Sequence, residues 1–106
     1  MSEPIQHIKA EFFKALAHPA RIRILEVLAE REHSVGELVP EIGLESSHLS
    51  QQLGVLRRAN LVVTRKSGSN VYYRLADRRL AKLLDLTKQI LLDYLTAARA
   101  QLTDVK

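Results

Sequence analysis

Hydrophobic residues recur at helical spacing in residues 43–60, GLESSHLSQQLGVLRRAN. Leu49, Leu53 and Leu56 stand at i, i+4 and i+7, which predicts one apolar stripe along a helix of roughly four turns. The other face carries Ser46, Ser47, Ser50, Gln51, Arg57 and Arg58. Such side chains suit the edges of base pairs, although serine and glutamine also occur on ordinary solvated helix surfaces.

A β-hairpin is predicted directly after this helix. Residues 61–66 (LVVTRK) form a β-branched run, residues 67–70 (SGSN) a turn cluster, and residues 71–75 (VYYRL) a second strand. In a winged helix-turn-helix a polar helix enters the major groove, and the hairpin that follows lies along the backbone or the minor groove. The predicted fold is therefore mainly α with a small β-hairpin wing.

Two helices are predicted before this unit. The first ends before Pro19, because the residue that precedes a proline disfavours the helical conformation, and Pro19 suits the first position of the second helix, which runs to about residue 31. In the first helix, Ile5, Ile8, Phe12 and Leu16 keep a helical period, and in the second, Ile22, Leu25 and Leu28 are expected to point inward.

A short third helix is predicted from a capping box, in which Ser34 caps the helix and Glu37 reaches back to the serine amide. It stops at Gly43, which can adopt the left-handed conformation of a helix end, and Pro40 inside it predicts a kink or an early end. Asn60 is expected to close the following helix in the same left-handed conformation.

The last helix is predicted from Asp77, its N-cap, to about residue 101. Its apolar stripe exceeds five turns, and too little of the chain remains to cover it. Together with the first helix, it is expected to pack against a second copy. The predicted dimer residues are Ile5, Ile8, Phe12, Leu83, Leu84, Ile90, Leu91 and Tyr94.

Length and charge add to this interpretation. The 106 residues predict a single domain spanning residues 1–106, and the net charge of +4 is unevenly placed. Residues 46–76 hold 5 basic and no acidic side chains, whereas residues 1–45 hold 5 basic and 8 acidic ones. The predicted helix and wing therefore lack the carboxylates that phosphate would repel. With no cysteine, and no apolar run near the roughly 20 residues of a membrane span, we expect a cytoplasmic protein without disulfides.

The chain resembles the arsenic-repressor (ArsR/SmtB) family of dimeric bacterial winged-helix regulators. Three segments carry the resemblance: FFKALAHPARIRIL at 12–25, VGELVPEIGLESSHLSQQLGVLRRANLV at 35–62 and GSNVYYRLAD at 68–77. The resemblance implies base-reading positions at Ser46, Ser47, His48, Ser50 and Gln51, and wing contacts at Arg65, Lys66, Ser69 and Asn70. We count Gln52 and Arg57 with the helix contacts.

Three positions depart from the family pattern. Gln52 stands where the family often has histidine, Gly54 where it often has a basic residue, and Asn60 where it commonly has glycine. The change at Gly54 removes a phosphate contact and costs about 1 kcal/mol of helix propensity relative to alanine.

The family's usual metal sites are replaced in this chain, so no metal or other cofactor is expected. The positions of the Cys-x-Cys site hold Ser34 and Gly36, and those of the site across the last helices hold Asp77, Arg79, Ile90 and Asp93. In the family, the second of these sites contains two histidines, and both are replaced here. The arginine at one of these positions stays protonated and does not bind a metal ion. The four histidines lie on different elements: His18 is expected to cap or pack at a helix junction, His48 to face DNA, and His7 and His33 to lie on the surface.

The sequence thus predicts a homodimeric, sequence-specific double-stranded DNA-binding repressor that recognises a palindromic operator, with no membrane association. No phosphate loop and no nucleophile with a nearby base is present, so an enzyme is not expected. Two alternatives stay open: a metal or small-ligand sensor with an unusual site, and a dimeric scaffold whose basic strip meets an acidic protein.

Overall fold

The computed structural model of the protein describes residues 4–104, which contain five helices and three short strands. In chain order they are α1 (Ile5–Leu16), α2 (Pro19–Glu30), β1 (His33–Ser34), α3 (Val35–Ile42), α4 (Ser46–Arg58), β2 (Val62–Ser67), β3 (Asn70–Leu75) and α5 (Arg79–Asp104). The predicted mainly α fold with a hairpin wing is confirmed. None of the described helices combines the length and the apolar character that a membrane crossing needs.

Local capping signals place the first helix boundaries where the sequence predicts them. His18 caps α2, and its Nδ1 accepts a hydrogen bond of 3.1 Å from the backbone N–H of Ala20. Ser34 and Glu37 form the predicted capping box at the start of α3. Gly43 ends α3 with φ 79°, and its N–H donates to the carbonyl of Val39 at 2.9 Å. Pro40 is accommodated inside α3, which does not end early.

The end of α4 follows the sequence prediction as well. Asn60 has φ 61°, and its N–H donates to the carbonyl of Arg57 at 3.0 Å. The N–H of Leu61 donates to the carbonyl of Leu56 at 2.9 Å. These two hydrogen bonds form the Schellman arrangement, which asparagine supports in place of glycine.

The wing is part of a three-stranded antiparallel sheet in the order β1-β3-β2. In the hairpin, Ser67 pairs with Asn70 and the loop between them begins with Gly68 at φ 63°, a conformation that glycine adopts without strain. Strand β1, which the sequence did not predict, adds the pair of His33 with Tyr73. The expectation that His33 lies on the surface is wrong: its exposed fraction is 3%.

His33 is buried because β1 carries it into the sheet. Its Nδ1 lies 2.8 Å from the carbonyl oxygen of Arg31, and since a carbonyl only accepts, this nitrogen carries the proton. The expectation that Ile22 faces inward is also wrong, since it lies on the exposed side of α2, next to the buried pair Ile24 and Leu25.

The core is a single cluster at the centre of α2, α3, α4 and the sheet. Its fully buried side chains include Ile24, Leu25, Leu28, Leu38, Leu49, Leu53, Leu56 and Val62. Only the beginning of α5 joins this cluster, through Leu80. The Cα radius of gyration is 17.0 Å, whereas a compact chain of this length has about 13 Å. The difference reflects the distal part of α5, which projects away from the core.

Candidate nucleic-acid interface

Helix α4 presents one outward column of residues directly opposite its buried leucines. With about 100° between successive helical residues, four positions fall within about 60° of one another. They are Ser47, Gln51, Gly54 and Arg58. The stripe of leucines at 49, 53 and 56, predicted from the sequence, is fully buried, so this column points away from the protein. Helix α3, anchored by Leu38, supports α4 from behind.

The predicted helix contacts divide into two groups. The exposed ones are Ser46, Ser47, His48, Ser50, Gln51 and Arg57. Gln52 differs, because its side chain is half-buried and its amide Oε1 is buried with no hydrogen-bond partner among residues 4–104. Gln52 lies toward the leucine side of α4, and this position does not favour the DNA contact that we expected of it.

The wing brings three of its four predicted residues to an exposed tip. Lys66, Ser69 and Asn70 are exposed around the turn. Arg65 is held differently: its guanidinium donates two hydrogen bonds to the carboxylate of Glu32, one from Nε to Oε2 at 3.3 Å and a shorter one from Nη2 to Oε1. The same guanidinium lies 4.8 Å from the ring centre of Tyr72.

Glu32 lies in the turn after α2, outside the segment that lacks carboxylates in the sequence. The Arg65 guanidinium, through its hydrogen bonds, holds the pKa of Glu32 below its usual range. Glu32 is therefore ionised at neutral pH and places one negative charge beside the wing. No local pattern in the sequence indicates this pair, since its members are 33 residues apart.

Arg58 is a second feature that the predicted contact residues omit. A Cβ atom built on Gly54 would lie 3.2 Å from Nη1 of Arg58 and 3.8 Å from its Cζ. The guanidinium therefore lies against the helix surface at Gly54, one turn toward the N-terminus of α4. A signal was present in the sequence, since a glycine and an arginine at i and i+4 share a helix face.

The first and last helices carry most of the exposed apolar surface. On α5, Ile90, Leu91 and Tyr94 have exposed fractions of 59%, 53% and 73%. On α1, Ile5 and Ile8 are exposed and Phe12 is half-buried. Leu83 and Leu84, also predicted at the dimer interface, are half-buried and pack against the core of their own chain.

Three of the positions that the sequence analysis compared with metal ligands, Ser34, Asp77 and Arg79, make contacts within the chain. Ser34 caps α3, as described above. Asp77 accepts a hydrogen bond of 2.8 Å from the backbone N–H of Arg79, and its carboxylate pairs with the Arg79 guanidinium at 2.6 Å. Chiefly through the guanidinium, Arg79 lowers the pKa of Asp77 to about 2. Residues 4–104 contain no group of three or more histidine, aspartate or glutamate side chains arranged to hold a metal ion.

Comparison with known proteins relates this chain to bacterial regulators of transcription. The sequence model described as bacterial regulatory protein, arsR family, matches residues 18–64. The helix-turn-helix transcriptional regulator Rv0081 of Mycobacterium tuberculosis is 54% identical over 106 residues, which span 99% of this chain and 93% of the relative. Its crystal structure matches with a TM-score of 0.84 at 55% identity, over 92% of this chain and 98% of the other.

Two further relatives are more distant. The biofilm growth-associated repressor of Agrobacterium fabrum is 46% identical over 76 residues, 72% of this chain and 65% of the repressor. The solution structure of the homodimeric winged helix-turn-helix DNA-binding domain of Mb0332 from Mycobacterium bovis has a TM-score of 0.78 at 31% identity, over 86% of this chain and 84% of that domain. These relatives are regulators of transcription or DNA-binding domains.

Proposed function

This chain belongs to the arsR family of bacterial regulatory proteins, and on that basis we propose that it is a homodimeric repressor that binds double-stranded DNA sequence-specifically in the cytoplasm. The observation that carries the proposal is the outward column of α4. Gln51 lies at its centre, exposed and opposite the buried leucines. A glutamine amide can donate to and accept from adenine in the major groove.

The wing supplies a different kind of contact. Lys66, Ser69 and Asn70 are exposed around the turn between β2 and β3, the strands that follow α4 in the chain. In this proposal the turn meets DNA beside the groove that α4 enters. Lysine and small polar side chains bind phosphate oxygens without reading the base. In this proposal α4 therefore selects the sequence and the wing adds affinity.

The dimer follows from the unpartnered apolar surface of α5. Three large side chains, Ile90, Leu91 and Tyr94, are each more than half exposed in a single copy, and soluble monomers rarely expose a large contiguous apolar patch. We propose that α1 and α5 cover one another across a two-fold axis and that residues 1–106 form one domain. A two-fold dimer presents two α4 helices to half-sites of a palindromic operator.

Selection of bound fragments from random duplex DNA tests the proposal, and a recovered palindrome is the expected result. On that palindrome, Gln51→Ala is expected to cost about 1 to 3 kcal/mol of binding free energy, with little effect on a scrambled duplex. Lys66→Ala serves as the matched comparison and should weaken both duplexes by similar factors.

Two outcomes would contradict the proposal. Recovery of fragments without a shared sequence would leave only non-specific binding, as expected of a dimeric scaffold with a basic strip. Equal weakening of both duplexes by Gln51→Ala would show that α4 does not read bases.

A further inference from the structure

Gly54 and Arg58 form a matched pair on the outward column of α4. The guanidinium of Arg58 lies over Gly54, where a Cβ atom would approach Nη1 to 3.2 Å. Such an approach is closer than an ordinary van der Waals contact, so even a Cβ atom at this position would require the guanidinium to shift by a few tenths of an ångström. The absence of a side chain at residue 54 therefore leaves the space that Arg58 occupies.

Arg58 lies on the same side of α4 as Gln51, the residue proposed to read bases. It lies within about 20° of Gln51 around the helix axis, two turns further along α4. Long helical side chains lean toward the helix N-terminus, so Arg58 extends back along the column toward Gln51. Its charge is therefore placed on the surface that faces DNA in the proposed complex.

The arginine of the wing is less available than Arg58. Arg65 is held by Glu32, as described above. Arg58 is exposed, and within residues 4–104 it has neither a salt bridge nor a hydrogen bond. An exposed and unpaired guanidinium can bind phosphate without first breaking a contact inside the protein.

We propose that Arg58 binds a DNA phosphate from the space over Gly54. The inference rests on the proposed DNA-binding function and adds a contact to it. A phosphate contact releases counterions but reads no base, so Arg58 contributes affinity rather than sequence choice.

Four proteins test this inference by binding to the selected palindrome and to a scrambled duplex at several salt concentrations. They are wild type, Arg58→Ala, the double variant Arg58→Ala with Gly54→Lys, and Lys82→Ala. The last removes the same charge from an exposed position on α5. Thermal melting and sedimentation of each variant test whether the fold and the oligomeric state are unchanged.

Arg58→Ala is expected to weaken binding to both duplexes and to flatten the slope of log K against log salt by about 1.8 units, from one lost contact in each subunit of a dimer. The loss in affinity should then be about tenfold greater at about 50 mM salt than at about 200 mM. The double variant is expected to recover most of the slope, because the lysine introduced in place of Gly54 restores a positive charge on the same column. Lys82→Ala should leave the slope near that of wild type.

Several results would overturn the inference. An unchanged slope for Arg58→Ala would show that Arg58 does not meet phosphate, and so would failure of Gly54→Lys to restore it. Arg58 borders a cleft of about 600 Å³ together with Ile8 and Phe12 of α1. Dissociation of the Arg58→Ala dimer would show that Arg58 supports dimer formation at this cleft and that its effect on DNA binding is indirect. If no palindrome is recovered, the proposed specific function fails, and the slope measured on the scrambled duplex still decides the role of Arg58.

Discussion

Replacing Glu32 with glutamine is expected to strengthen DNA binding, although Glu32 itself would touch no DNA. The Arg65 guanidinium donates to both carboxylate oxygens of Glu32 and is thereby held against the turn that follows α2. Glutamine keeps the shape of the side chain but offers only a neutral acceptor, which holds a guanidinium more weakly. Arg65 then becomes free to bind phosphate.

The size of the effect of Glu32→Gln follows from the number of ions released on DNA binding. In wild type, a phosphate that takes Arg65 leaves the Glu32 carboxylate to attract a cation from solution, which offsets the counterion released from DNA. In Glu32→Gln this offset disappears. With one additional net contact in each subunit, the slope of log K against log salt should steepen by about 1.8 units, and the gain in affinity should grow about tenfold between about 200 and about 50 mM salt.

Fluorescence anisotropy with labelled operator and scrambled duplexes, measured at several salt concentrations, provides the assay. Glu30→Gln is the matched control, because Glu30 is an exposed carboxylate two residues away and has no ion pair within residues 4–104. The double variant Glu32→Gln with Arg65→Ala should bind no more tightly than Arg65→Ala combined with Glu30→Gln. If Glu32→Gln and Glu30→Gln change the slope equally, the effect is one of net charge alone and the reasoning about Arg65 is refuted.

Two further predictions concern assembly and acid stability. Leu91→Asp would bury an unpaired carboxylate between the two copies at a cost of several kcal/mol. Sedimentation at about 10 µM should therefore show a dimer for wild type and a monomer for this variant, and Lys82→Asp, on the polar face of α5, should stay dimeric. A monomeric wild type would contradict the proposed interface. Because the folded-state pKa of Asp77 is about 2, below its ordinary value of 3.8, its stabilising contribution is fully present above about pH 4 and is lost as the pH falls toward 2. The stability difference between wild type and Asp77→Asn in urea unfolding should shrink over that window, and Asp93→Asn is the control; a difference that stays constant with pH would exclude the ion pair as its source.

Helix boundaries were predictable because the residues that fix them are neighbours in the sequence. The cap at His18, the capping box from Ser34 to Glu37 and the left-handed Gly43 each act over four residues or fewer. The buried stripe of α4 was equally predictable, since its period of 3.6 extends over several turns and no other arrangement would bury all three leucines.

Strand β1 could not be predicted by the same reasoning. It is two residues long and therefore has no detectable period, and it exists because His33 and Ser34 pair with residues about 40 positions later in β3. The burial of His33 follows from that distant pairing. The exposure of Ile22 has a similar origin, because the helical period identifies the apolar positions of α2 but does not specify which of them another element covers.

Charge is the property for which sequence order and folded surface differ most. Residues 46–76 contain no carboxylate, and this absence by itself favours DNA binding. The fold then brings Glu32 to the wing and pairs it with Arg65, so the surface is less basic than the segment that forms most of it. Most of the counterion release on DNA binding should therefore come from basic residues that have no carboxylate partner, such as Arg58 and Lys66. For this reason we expect the salt dependence of wild-type DNA binding to correspond to fewer phosphate contacts than the number of basic residues in this segment. Removal of the Glu32 carboxylate should increase that salt dependence.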